Sequence, residues 1–251
     1  MVKLIKICPV IPRDQSVFIL SSFRFDLKQA ITKAHYVTFL TGAGVSVPSG
    51  IPDYRSKNGL YANQQNPEYL LSHDNLVDHP ADFYKFVKDN MYYPAAKPNI
   101  IHEKMAAISN AKGMIVTQNV DGLHTAAGAE HVVEFHGNLY QVDCQRCHQT
   151  VPYQEYLQDY HHKSDGGILR PKIVLYGEGL NEQAVSTAID AVAKADLIII
   201  CGTSFRVAPF SMLTNYARPN AEIVAVNEEK LDLPFKFTMV QANATDVFAK
   251  L

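Results

Sequence analysis

A chain of 251 residues, 47% apolar and 19% charged, suits one globular domain, or one large domain carrying a small inserted module. Its net charge of −2 argues against nucleic-acid binding through a large basic surface, and no apolar run approaches the roughly 20 residues that span a bilayer. Four cysteines, two of them in Cys144-Gln-Arg-Cys147, fit a reducing compartment better than a disulfide scaffold, so the cytoplasm is the expected location.

Residues 1–25 read as an N-terminal extension. Lys3 and Lys6 precede an apolar patch at 17–20 that is too short for a secretory core, and no small-residue cleavage pattern follows it. A helix is predicted over 26–34, with Asp26 as N-cap and Leu27, Ala30, Ile31 and Ala34 on one face. Short apolar runs predict buried strands at 36–40, 114–117, 197–201 and 222–226. Amphipathic stretches predict further helices at 81–88, 100–111 and 182–194. This alternation is the pattern of an α/β fold, a Rossmann-like doubly wound parallel sheet within 26–251. Two stretches interrupt it. Residues 58–98 are loop-rich, with prolines at 67, 80, 94 and 98. Residues 142–169 are polar and rich in His, Gln and Tyr, and read as a smaller inserted module.

Each predicted strand runs into a polar or glycine-rich segment at its carboxyl end. These are Thr41-Gly-Ala-Gly44-Val-Ser46, Gln118-Asn119-Val120-Asp121, Gly202-Thr203-Ser204 and Asn227. In open α/β sheets ligands bind outside such ends, so four of them together would line one nucleotide-sized cleft. The Gly42-Ala43-Gly44 turn allows close approach of a pyrophosphate. Yet the strict G-x-G-x-x-G pattern fails at Val47, and the usual acidic residue about 20 positions on is not evident. A tight turn without a ligand would look similar.

Read together the segments are more specific. Gly42-Ala-Gly-Val-Ser-Val-Pro-Ser-Gly-Ile-Pro-Asp-Tyr-Arg55 resembles the cofactor-binding loop of the sirtuin family, in its bacterial type. Thr117-Gln-Asn-Val-Asp-Gly-Leu-His124 and Phe135-His-Gly137 resemble its second and third signatures. Pro171-Lys-Ile-Val-Leu-Tyr-Gly-Glu178, Gly202-Thr-Ser204 and Val226-Asn227 follow in the family's order. The match runs from about residue 26 to the C-terminus.

This resemblance implies an NAD-dependent protein-lysine deacylase. NAD would be consumed as a co-substrate, with nicotinamide, O-acyl-ADP-ribose and free lysine as products. His136 would be the general base, its unperturbed pKa lying near operating pH. Asn119 and Asp121 would form the nicotinamide pocket, with Gln118 on the ribose. Ala43, Ser46, Asp53, Tyr54 and Arg55 would belong to a loop closing over the cofactor, Arg55 offering fixed donors to its oxygens. Gly202, Thr203 and Ser204 would hold phosphates and the adenosine side, Asn227 the adenine ribose, and Asp246 would lie near the adenine. The runs 173–178 and 204–209, with Gly177, Glu178 and Val207, resemble the edges that clamp an extended acyl-lysine peptide, Val174 and Tyr176 lining the acyl tunnel. The desuccinylating branch of the family carries a Tyr and an Arg three residues apart. Here Tyr84 is followed by Val87, with Lys85 and Lys88 nearby, which favours uncharged acyl groups.

The family usually carries two C-x-x-C pairs on a structural zinc. This chain keeps Cys144 and Cys147 but reads His162-Lys-Ser-Asp165 where the second pair would fall. Two thiolates, an imidazole and a carboxylate are a possible zinc set. A zinc-free module is a second reading, slightly favoured because a half pair lacks the strong signal of two, and redox pairing of Cys144 with Cys147 is a third. Two rival functions stay open: an NAD-dependent protein ADP-ribosyltransferase, and a non-catalytic NAD-binding sensor. No nucleic-acid or membrane partner is expected.

Overall fold

In the computed structural model, residues 25–56, 59–62 and 66–251 are described. The extension expected at 1–25 lies outside them except for Phe25. Asp26 caps α1 (Leu27–Lys33), its carboxylate accepting from Gln29 N–H at 2.9 Å. The next run, Val37–Thr41, is buried at every position, as a strand covered on both faces must be, and forms β1. After it come α2 (Pro67–Leu70), α3 (His73–Asp78), α4 (Pro80–Asn90) and α5 (Ile100–Lys112). They are followed by β2 (Gly113–Thr117), α6 (Leu123–Ala126), β3 (Val132–Glu134) and β4 (Gly137–Cys144). The chain then forms β5 (Thr150–Pro152), α7 (Tyr153–Gln158), β6 (Leu169–Ile173) and α8 (Glu182–Lys194). It ends with β7 (Leu197–Cys201), β8 (Glu222–Asn227), β9 (Thr238–Gln241) and α9 (Ala244–Phe248).

Six strands pair in the order β3-β2-β1-β7-β8-β9, every pair parallel. From β1 the chain crosses to β2 on one side and later to β7 on the other, so the winding reverses at β1. Helices cover both faces. Leu27, Ile31, Ile101, Met105 and Phe248 of α1, α5 and α9 pack under one face, and Ala188, Ala191 and Val192 of α8 under the other. Asp196 sets the register at the base, accepting from the N–H groups of His35 and Tyr36 at 2.8 Å each.

The second sheet is antiparallel, in the order β5-β4-β6. It takes in more chain at both ends than the polar stretch 142–169 suggests. Leu139, Val142, Leu169 and Ile173 of this sheet share one buried cluster with Leu71, Leu76, Phe83 and Val87 of the preceding helical stretch. The two interruptions of the large sheet therefore pack on each other. Among the described residues no helix is long and apolar enough to cross a membrane.

The four predicted strands and four predicted helices form within a residue or two of expectation. β3, β5 and β9, of three or four residues each, carry too few positions to show a period. β4 is interrupted by a register shift between Asn138 and Val142, which breaks its alternation.

Gly202 is left-handed at φ +61, and a Cβ there would lie 2.5 Å from the Val45 nitrogen. Gly202→Ala is expected to lower stability by about 2 kcal/mol or more, read from urea denaturation. A change within error would contradict this account of the loop.

Candidate active site

The carboxyl ends of β1, β2, β7 and β8 open on one cavity of about 630 Å³, whose far wall is the small sheet and its helices. Its first edge is a close contact between two loops. Gly44 N–H donates to the Gly202 carbonyl at 2.8 Å and Gly42 N–H to the Cys201 carbonyl at 3.2 Å. A Cβ on Gly42 would meet Thr203 Cβ at 2.7 Å, and one on Gly44 would meet Gly202 Cα at 2.8 Å. These glycines are required by loop-on-loop packing, a reason that the phosphate-turn reading of the sequence did not contain. Ala43, Gly44, Gly202, Thr203 and Ser204 face the cavity, and Gly42 lies behind it.

Beneath this edge sits a polar network. The Ser46 hydroxyl, fully buried, donates to Asp121 Oδ2 at 2.6 Å and accepts from Asn119 Nδ2 at 3.1 Å. Asp121 Oδ1 accepts from Leu123 N–H at 2.9 Å. Burial raises the Asp121 carboxyl, opposed by these two donors. Asn119 reaches the cavity wall, whereas Ser46 and Asp121 do not. Ser46 thus belongs to the floor, not to the covering loop where the sequence reading put it. Asp53, Tyr54 and Arg55 do face the cavity. Asp53 Oδ1 accepts from Ser56 N–H at 2.9 Å, closing a turn.

His136 stands on the same wall, between β3 and β4. Its Nδ1 lies 3.3 Å from the Gln118 carbonyl oxygen. A carbonyl only accepts, so Nδ1 carries the proton and Nε2 keeps a lone pair. Burial lowers the imidazole from its ordinary 6.5, partly offset by that carbonyl. Gln118 is itself held, its Oε1 accepting from the Thr203 hydroxyl at 2.8 Å.

Val174, Tyr176, Gly177, Glu178 and Val207 line the opposite side. Val174 N–H donates to the His136 carbonyl at 2.9 Å, and Tyr176 pairs through its backbone with Leu71 and His73 at 2.9 Å each. The main chain at Tyr176 is therefore already engaged. Glu178 accepts from the two terminal guanidinium nitrogens of Arg170, Nη1 and Nη2, at 2.6 Å each. Asn227 lines the nucleotide end together with Asn243, Ala244 and Thr245. Asp246 is exposed on α9 and off the wall.

Cys144, Cys147, His162 and Asp165 converge, with one donor atom from each lying within 4.8 Å of all the others. The Cys147 sulfur is 3.4 Å from His162 Nδ1, that nitrogen 3.2 Å from Asp165 Oδ1, and that oxygen 3.5 Å from the Cys144 sulfur. Tetrahedral zinc, at about 2.0–2.3 Å from such donors, spaces them by about 3.3–3.8 Å. The Gly167 N–H, foremost, helps pull the Asp165 carboxyl down to about 2, so it offers an anionic oxygen. The quartet fits a zinc site, and none of its members lines the cavity.

The Sir2 family model matches residues 42–209. The chain belongs to the Sir2 family. It is 54% identical over 226 residues to a Listeria monocytogenes protein named NAD-dependent protein deacetylase, covering 90% of this chain and 99% of that one. A protein of the same name from Lactiplantibacillus plantarum is 52% identical over 87% of this chain and 94% of its own length. A Sir2 structure with a p53 peptide and NAD+ matches with a TM-score of 0.78 at 29% identity, covering 89% and 94% of the two chains. A Sir2 variant with deacetylated p53 peptide and 3′-O-acetyl-ADP-ribose gives 0.81 at 28% identity, covering 90% and 97%.

Several residues of this Sir2 chain's site escaped the sequence reading. Tyr61, Leu71 and Met91 form apolar wall, brought in by packing between the two interruptions, and Leu180 joins them from the segment before α8. His102 and His124 lie buried beneath the floor, ring centroids 4.8 Å apart. Nothing in the spacing of either histidine distinguishes it from an ordinary core residue.

Burial holds His102 down to about 4 and lowers His124 and His136 as well. Unfolding returns each to about 6.5, so the unfolded chain binds more protons in between. Stability is expected to be full above pH 6.5 and to fall as the pH drops from about 6.5 toward about 4. Urea midpoints that stay flat across that window would contradict these assignments.

Proposed function

We propose that this chain is an NAD-dependent protein-lysine deacetylase, and that His136 is its general base. The observation that carries this reading is a neutral imidazole with Nε2 unengaged, on the same cavity wall as Asn119. The curated relatives' names supply the reaction class, and the cavity's size suits a dinucleotide beside a side-chain tunnel.

In this reading the acetyl oxygen of the bound lysine displaces nicotinamide from the ribose C1′, the bonding pair leaving with nicotinamide. His136 Nε2 then takes the proton of a ribose hydroxyl, which adds to the resulting imidate. The lysine amine leaves with a proton, and water adds to the acyl carbon, whose bond to the C1′ oxygen then breaks to give O-acetyl-ADP-ribose. Its Nδ1–H bond to Gln118 keeps the lone pair on Nε2. Asn119 and the Ser46–Asp121 pair behind it orient the nicotinamide end; Arg55, Thr203 and Ser204 serve the phosphates. Asn227 serves the adenine ribose, and Asp53 and Tyr54 the covering loop.

Val174 and Tyr176 serve as walls of the acyl tunnel, with Gly177, Glu178 and Val207 along the peptide. Other uncharged acyl groups suit the same tunnel. Val87 is fully buried, Lys85 pairs with Asp89, and Lys88 lies over the Tyr84 ring. None of these lines the cavity, whose only described Lys or Arg is Arg55. Free thiols at Cys144, Cys147 and Cys201 support a cytoplasmic home.

The donor geometry also supports zinc on Cys144, Cys147, His162 and Asp165, as a clamp on the end of the small sheet with no part in the reaction. Elemental analysis is expected to give about one zinc per chain, with Cys147→Ala losing the metal and melting at lower temperature. Metal-free protein melting with the zinc-loaded form would establish the zinc-free alternative.

Incubation with NAD and an acetyl-lysine peptide is expected to yield nicotinamide, free lysine and O-acetyl-ADP-ribose by mass spectrometry. His136→Ala should lower turnover about 10²–10⁴-fold with the fold retained. ADP-ribosylated protein as the main product would establish the transferase reading, and unchanged NAD the sensor reading.

A further inference from the structure

We propose that Arg170, which lies outside the cavity, is a positioning residue that sets the affinity for the acyl-lysine peptide by locking the edge 173–178 into one shape. The inference rests on the deacetylase reading above, in which that edge runs along the peptide.

Every residue from Ile173 to Glu178 lines the cavity, and Arg170, three residues earlier on β6, does not. Regular pairing stops at Ile173, so the edge beyond it needs other support. Arg170 joins its two ends. Nη2 donates to the Ile173 carbonyl at 2.8 Å and to Glu178 Oε2 at 2.6 Å, while Nη1 donates to Glu178 Oε1 at 2.6 Å. One planar fork with fixed donors thus spans the first and last residues of the edge. Between them Glu178 N–H donates to the Leu175 carbonyl at 3.0 Å. Gly177 is left-handed at φ +88, so the chain turns tightly at Tyr176-Gly177.

The carboxylate of Glu178 is fully occupied by this frame. An ionised carboxylate has about four acceptor positions. Oε1 takes Arg170 Nη1 and also His73 Nδ1, at 3.1 Å. Oε2 takes Arg170 Nη2 and also Leu175 N–H, at 3.0 Å. Partial burial raises this carboxyl, yet the Arg170 guanidinium and the Leu175 N–H bring it down to about 2, so it stays charged. No acceptor position is left for a substrate, and Glu178 therefore anchors the edge. His73 adds its own N–H to the Tyr176 carbonyl at 2.9 Å, which fastens the anchor to α3. The Gly177 N–H and carbonyl take no hydrogen bond among the described residues and stand open to an extended peptide. An edge fixed in advance spares the peptide the ordering that binding would otherwise demand.

Two variants separate positioning from folding. Arg170→Lys keeps the positive charge beside Glu178, but a single ammonium cannot span Ile173 and both carboxylate oxygens. Its peptide KM, and the dissociation constant of an acetyl-lysine peptide read by calorimetry, are expected to rise about tenfold to a hundredfold, the worth of a lost hydrogen bond to a charged group. The kcat at saturating peptide and the KM for NAD should not move. Arg170→Met combined with Glu178→Gln removes the fork together with the charge it would strand. This pair should melt above Arg170→Met alone and still bind the peptide as weakly as Arg170→Lys.

Folded variants that bind the peptide like wild type would overturn the proposal. So would a loss of kcat or of NAD affinity as large as the loss of peptide affinity, because a general disturbance of the cavity would produce it. Wild type that turns over no acetyl-lysine peptide with NAD would instead defeat the deacetylase reading.

Discussion

The loops after β1 and β7 meet backbone to backbone, and the shape of the cavity follows from that contact. Gly44 N–H reaches the Gly202 carbonyl at 2.8 Å, and no Cβ fits on Gly42, Gly44 or Gly202 without entering the other loop. Parallel strands place their carboxyl ends side by side, so β1 and β7 deliver both loops to the same edge. With no side chains between them, the neighbouring Ala43, Thr203 and Ser204 turn outward and become the wall. Thr203 then holds Gln118, whose carbonyl faces His136. The proposed base is thus oriented through a short chain of contacts that starts at the glycines.

Two kinds of buried histidine result, and their surroundings set them apart. His136 has one nitrogen on a carbonyl and the other unengaged on the cavity wall, so it is neutral yet able to take a proton. His102 and His124 are enclosed more fully, and burial drives both further from protonation. Among the described residues no carboxylate is hydrogen-bonded to any of the three rings, a contact that would have raised their pKa. The charge in the floor rests instead on Asp121, which is met by a hydroxyl and a backbone N–H and by no cation. Such a floor can orient a polar group without neutralising it.

Much of this was legible in the sequence because the parts lie in short continuous runs. Buried parallel strands announce themselves as apolar runs, and the polar residues at their ends have one place to go. What a run cannot tell is which of its members faces the ligand. Within Gly42–Ser46 neighbouring positions serve packing, wall and floor, and Ser46 was misplaced for that reason. Asp246 was placed near the nucleotide by its run, yet α9 turns it outward. The far wall was illegible altogether, because Leu71 and Met91 arrive from a segment joined to the small sheet by packing alone. His102 was likewise invisible, since its partners are a backbone N–H and a serine 56 residues away.

The small sheet links the two ends of the second half of the site. Gly137 opens β4 at φ +83, where a Cβ would lie 1.9 Å from the Lys172 carbonyl oxygen. That turn sends Phe135 into the core and leaves His136 on the wall. Cys144 closes the same strand, seven residue steps later, or about 23 Å of extended chain. A metal at Cys144 and its partners is therefore too distant to polarise anything at His136. It can act only by holding the β4–β6 register, which includes Gly137 opposite Ile173 and carries on to the Val174 bond with the His136 carbonyl. Replacing two sulfur ligands by His162 and Asp165 alters that clamp and leaves the reacting end untouched. The chemistry of the cavity and the donor set of the module can accordingly vary independently along one strand.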